Sequence, residues 1–250
     1  MAHVYATLAE FKQYLSGGDV GSDRDATLLT LLESASRTVD AFCDRGSGFG
    51  PVIETRTYIP SARLLSLAAD VVHVGSLSVN EVLVAEGLYT FDGRVVFGSW
   101  PSGSVASVTG TFGYAGTTTT PSTALGAALT DEASDITVDD SSGLSVGQVV
   151  VIDDEQMRVV AIDDSAVTVV RGYNGTTAAA HDDEALVSVY VYPAEVVDAT
   201  IRVAQRRWKM RDAGLTGDFG GVGIPATSHQ DTENSILRAT VGHLRFLAVA

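Results

Sequence analysis

Cysteine is almost missing from this chain. Cys43 is the only one in 250 residues, which excludes an internal disulfide and any multi-cysteine metal knuckle. It falls on the apolar face of a helical stretch, where an inert buried thiol is expected. Histidine is equally thin: His3, His73, His181, His229 and His243 show no ligand spacing, so neither a metal nor a cofactor is expected. Lys and Arg number 16 against 31 Asp and Glu, a net charge of −15 that argues against a sequence-independent grip on nucleic acid. No apolar run approaches the roughly 18 residues of a membrane helix. The opening MAHVYATLAEFKQYL has no basic n-region and carries Glu10, so no secretory signal is expected. A soluble protein made in a reducing compartment follows, in which the sequon Asn174-Gly175-Thr176 has no use.

What is present is enough apolar residue, 45%, to build a core, and a charge that is unevenly spread. Between Thr117 and Tyr190 thirteen acids stand against Arg158 and Arg171, a net of −11, while the rest of the chain carries −4. Such a shift marks a domain boundary.

The periodicity agrees. Thr7-Leu-Ala-Glu10 is a capping box that opens a helix near 7–15. Leu29, Leu32, Ser36, Val39 and Cys43, with Leu28, Ala35 and Phe42, form one stripe of a helix near 22–44, stopped by Gly46, Gly48, Gly50 and Pro51. A period of two then predicts about five strands of a small antiparallel sheet between Val52 and Tyr114. Pro193 opens a helix over 193–212 with Val197, Ile201, Ala204 and Trp208 on one stripe, Arg202, Arg206 and Lys209 on another, and Arg207 and Arg211 elsewhere on the surface. A glycine-rich connector, GDFGGVGIP, leads to a last helix near 231–247. The segment between reads as a linker, TTTTPSTA, followed by five short strands with turns at Ser142-Gly143, Asp153-Asp154, Asp163-Asp164 and Asn174-Gly175. The expected class is α+β: a helical core with a small sheet (1–116 and 190–250), carrying an inserted acidic all-β domain, barrel-like or sandwich-like (117–189).

Several motifs invite chemistry and fail on context. Gly143-Leu-Ser145-Val-Gly147 has the spacing of a nucleophile elbow, but the β-branched QVVVID that follows suits a strand, not the required helix. The aspartate runs at 139–140 and 153–155 lack calcium-loop spacing. His181 stands alone among acids, and GDFGGVGIP lacks the Lys-Ser/Thr of a phosphate loop. No enzyme is expected, and no catalytic residue is assigned.

The order of elements resembles a known family. LLTLLESASRTVDAFCDR, ETRTY, VTGTFGYAG and YPAEVVDATIRVAQRRWKMRD together are similar to the head–tail connector (adaptor) proteins of long-tailed bacteriophages, over about 1–116 and 190–250. Within 117–190, LSVGQVVVIDDEQMRVVAI…TVVRGYNGTTAAAH resembles a small β module of phage structural proteins. The resemblance implies a structural virion protein, made in the host cytoplasm and located at the head–tail interface. It would form a homo-oligomeric ring, typically a dodecamer, between the portal and a stopper or tail-completion protein. DNA would pass through without sequence-specific binding, and no membrane would be involved. Arg202, Arg206, Lys209, Trp208, Leu237 and Leu244 become the expected subunit or portal contacts, and Gly217, Gly220, Gly221 and Gly223 a flexible assembly loop. DNA would repel the acidic module, so it is expected to project away from the channel. The alternative is a binding protein whose inserted domain grips a glycan or host surface.

Overall fold

A computed structural model describes residues 3–16, 20–61, 63–68, 70–212 and 229–245. In chain order the elements are α1 (Leu8–Ser16), α2 (Asp25–Cys43), β1 (Val52–Tyr58), β2 (Leu64–Ser66), β3 (Val71–Val79), β4 (Val82–Leu83), β5 (Thr90–Asp92), β6 (Val95–Phe97) and β7 (Ala106–Phe112). They continue with β8 (Thr118–Ala124), β9 (Asp135–Thr137), β10 (Val149–Ile152), β11 (Glu155–Asp163), β12 (Ala166–Val170), β13 (Leu186–Val191), α3 (Ala194–Asp212) and α4 (His229–Val241). The class is α+β, with antiparallel sheets throughout. Two compact units emerge: 1–46 with 118–173 and 177–250, and 47–117 with 174–176. The helices therefore group with the acidic β segment, whereas the expected division grouped them with the 52–114 sheet.

In the first unit the capping box of α1 forms as its chemistry requires. Glu10 accepts from the Thr7 amide at 2.7 Å, and Thr7 Oγ1 accepts from the Glu10 amide at 3.2 Å. Helix α2 buries Leu28, Leu32, Ala35, Ser36, Val39, Asp40 and Cys43. It ends at Asp44 in the left-handed region (φ 57), two residues before the expected Gly46, with the Arg45 amide donating to Asp40 O at 2.9 Å. Helix α3 packs on α1, α2 and α4. It buries Val196, Ala199, Thr200, Ile201, Val203, Ala204 and Met210, more of its circumference than one stripe.

The acidic segment is one six-stranded sheet, ordered β8-β13-β10-β11-β12-β9. Val150, Ile152, Met157, Val159, Val167, Val169 and Val187 alternate onto one face and fill its core with Leu125, Leu129, Ile136, Val138 and Leu144. No closed barrel forms. The two edge strands meet through one isolated bridge, Leu125↔Val138, in place of a ladder. TTTTPSTA is edge strand β8, paired with β13 from Thr118↔Val191 to Ala124↔Leu186, and not a linker. Pro121 is tolerated because it sits on an edge strand beside a register shift at Val187/Ser188. The opposite face of β10 and β11 is covered from within the unit. The Val4 amide donates to Gly147 O at 3.0 Å, and Arg158 lies 3.8 Å from Glu33 of α2.

In the second unit the expected single sheet is two: β1-β7-β3-β4 and β2-β6-β5. Their shared core is Leu65, Leu67, Val71, Leu77, Val96, Trp100, Ala106, Val108 and Phe112. SLSVNEVLV is a hairpin, β3–β4, whose two-residue turn Asn80-Glu81 has both φ angles positive (50° and 69°). Gly110 is required where β7 passes the backbone of β3, since a Cβ would collide with His73 O. Arg56 holds the unit by a fork to Asp70 (2.8 Å on each arm), a 2.6 Å bond to Glu54, and its guanidinium 4.0 Å over the Phe112 ring. Arg56→Lys keeps the charge and loses the fork, so denaturant unfolding of this unit should fall by about 1–3 kcal/mol. An unchanged midpoint would remove the fork from the account.

Candidate functional site

The residues expected to carry contacts lie on the helical layer. Arg202 is exposed and its Nε donates to both oxygens of Asp198, at 2.7 and 2.8 Å, one turn earlier on α3. Lys209 is exposed and Arg206 half-buried, its Nε buried with no hydrogen-bond partner among the described residues. Trp208 is half-buried, with the guanidinium carbons of Arg24 and Arg211 5.6 and 5.9 Å from its ring centre. Leu237 is 1% exposed, spent on the chain's own core and offering a partner nothing. Leu244 is half-buried, its carbonyl accepting from Arg45 at 3.3 Å. Gly217, Gly220, Gly221 and Gly223 lie outside the described residues.

Arg207, expected elsewhere on the surface, is half-buried and fully engaged. From α3 it donates to Ser34 Oγ and Thr38 Oγ1 on α2 (2.8 and 2.9 Å) and to both carboxylate oxygens of Glu233 on α4 (3.1 and 2.9 Å). One guanidinium thus ties three helices together.

The loop 171–184 and the β10–β11 hairpin converge on Glu155. Arg171 grips it with two 2.7 Å bonds and also donates to the carbonyls of Thr130, Ala133 and Ala179. The amides of Gly172 and Ala179 donate to the same carboxylate, at 2.9 and 3.0 Å. His181, 5% exposed, has Nε2 at 3.0 Å from Glu155 and Nδ1 at 2.7 Å from Asp153. Burial pushes the Glu155 carboxyl up, but Arg171, the two amides and His181 outweigh it and hold it at about 2. This network fastens the sheet end: Glu155, Arg171 and His181 are spent on one another, while Asp153 stays largely exposed at its rim. Ser145 lies in the turn entering β10, so no elbow forms. Among the described residues no group of three or more His, Cys, Asp or Glu could hold a metal ion.

The N-terminal segment is a strap across the same unit. Tyr5 OH donates to Asp40 Oδ1 at 2.5 Å, and the Tyr5 amide to Ser36 Oγ at 3.3 Å. His3, 3% exposed, faces Arg37 Nη2 and Tyr173 OH, each at 3.4 Å. Burial, then Arg37 and Arg158, lower His3 to about 3. Burial raises Asp40 to about 6 against the opposing pull of Arg37, Tyr5 and Arg45. Beside the strap a groove of about 440 Å³ is lined by Tyr5, Glu10, Tyr14, Gln148, Tyr190 and Asp198, among others. No sequence motif announced Tyr5, Asp40 or Arg207, because each acquires a partner from a distant segment, whereas Glu155, Arg171 and His181 all fall within the pattern that resembles the small β module.

No protein-family model matches the chain, and no curated protein does. Among solved structures it is similar to a chain described as the neck of an empty GTA particle computed with C6 symmetry. The identity is 14% and the TM-score 0.43, over 99% of this chain and 96% of that one.

Proposed function

We propose that the chain is a non-enzymatic virion protein that forms a ring between portal and stopper or tail at the neck of a long-tailed phage, joining head to tail while DNA passes through. The observation that supports this reading is the helical layer. LLTLLESASRTVDAFCDR on α2 and the PAEVVDATIRVAQRRWKMRD helix α3 carry the family resemblance from opposite parts of the sequence, and they pack on one another. Arg207 joins them through polar side chains that a chance helix pair has no reason to align. In this reading 117–189 is an insertion into the connector plan, and Arg202, Arg206 and Lys209 remain contact candidates for a neighbouring subunit or the portal. Ring closure demands two different faces per subunit.

Cryo-electron microscopy of the purified protein with its portal tests the proposal. A closed ring seated on the portal is expected. A protein that stays monomeric both alone and with portal would end the reading.

A further inference from the structure

In the acidic module, charge is sorted by depth. Of the thirteen acids between 117 and 190 only Glu155 is buried, so twelve carboxylates face solvent, whereas of the two basic residues Arg158 is buried and Arg171 is half-buried with its guanidinium spent on Glu155 and three carbonyls. The module thus presents carboxylates and no cation. The turns sit in two groups. Asp153 and Asp154 lie beside Asp182 and Asp183, through the Asp153–His181 contact. Asp139 and Asp140 lie beside Asp163 and Asp164, through the Val138 amide bonded to Ser165 O.

The helical layer carries the complement. Arg24, from the turn before α2, and Arg211, near the end of α3, are both exposed and lie over the one Trp208 ring. Lys209, also exposed, directly follows Trp208 in the chain. The carboxylate at hand is Asp23, 3.4 Å from Arg24 Nε and itself largely exposed, which leaves most of both guanidinium forks free to donate. An indole with two arginines on it is a rigid, partly desolvated platform, where a carboxylate gains more than on a solvated face.

We propose that the Arg24–Trp208–Arg211 surface docks the acidic β module of a second copy of this chain, one of its two aspartate turns seated between the guanidinium groups. This rests on the ring reading and deepens it by naming the two unlike faces that a head-to-tail contact needs. Phosphate backbone is the other polyanion such a surface could take, but a chain of net −15 disfavours it.

The test is self-association of the full chain by light scattering and sedimentation, across a series of salt concentrations. The parent should associate, and more weakly as salt rises. Arg24→Glu with Arg211→Glu should lower the association constant about a hundredfold or more, since like charges then meet across the contact. Adding Asp163→Lys with Asp164→Lys, or Asp182→Lys with Asp183→Lys, to that variant should restore association in one of the two combinations. Three results overturn the inference: a glutamate variant that associates like the parent, failure of both restorations, or a loss confined to binding of a double-stranded DNA probe. If the parent forms rings on the portal while the glutamate variant does so equally well, the docking surface is wrong and the ring stands. A parent monomeric under all conditions removes both.

Discussion

Arg171→Ala should destabilise the first unit by about 3–5 kcal/mol, because it leaves Glu155 buried with its main counter-charge gone. The loss is larger than that of an ordinary ion pair, since Arg171 also satisfies the carbonyls of Thr130, Ala133 and Ala179. Glu155→Gln separates charge from packing. Its parent carboxyl is held at about 2, below the ordinary 4.5, so the parent keeps that stability above pH 4.5 and loses it as pH falls toward 2. The Gln variant should be weaker at neutral pH and lack that acid slope. Denaturant melts between pH 2.5 and 7 read both, and a parent flat below pH 4.5 would remove the charge network as a source of stability.

The strap predicts a second and less usual pH response. His3 stays neutral in the fold down to about 3, whereas it takes up a proton near 6.5 when released, so its contribution is full above pH 6.5 and falls as pH drops. Asp40 is shifted the other way. Its folded value is about 6 against an ordinary 3.8, so the fold holds a proton that the unfolded chain sheds, and its contribution falls as pH rises from 3.8 to 6. Between these limits one proton is gained on unfolding and one is lost, and the two slopes cancel. Asp40→Asn should therefore uncover His3: the unfolding constant should rise about tenfold for each pH unit below 6, roughly a hundredfold by pH 4. His3→Gln should uncover Asp40 and become more stable as pH falls over the same range. Parallel pH profiles for the parent and both variants would refute the opposed pair.

Much of this architecture is readable from residue order because it depends on local chemistry. The Thr7–Glu10 box, the α2 stripe, the β-branched run VVVI and the alternation of AVTVV each declare themselves within a dozen residues. Strand β8 does not. Three threonines and a proline read as a linker until β13 supplies the ladder, and Pro121 is acceptable only because no strand lies beyond it. The Asn80-Glu81 turn hides for a similar reason, since Glu rarely takes a positive φ. Arg207 is missed because a helical wheel shows which residues share a face, not which neighbours crowd it, whereas Leu237 is expected as a contact from the resemblance alone. The Glu155 cluster is legible only as a spaced motif, Ile152-Asp153-x-Glu155 with Arg171-Gly172 and His181. Its meaning depends on strand order, which brings the β10–β11 hairpin and the 171–181 loop to one end of the sheet.

The pairing of Thr118 with Val191 has an evolutionary consequence. The acidic module's chain enters and leaves on adjacent strands, about 5 Å apart as antiparallel partners are. A segment with such neighbouring ends can be spliced into a gene without redirecting what precedes or follows it. Excising it is another matter, for Val4 bonds to Gly147, and Glu33 faces Arg158. Neighbouring ends thus favour transplanting the segment, while its bonds to the N-terminal strap and α2 oppose its removal.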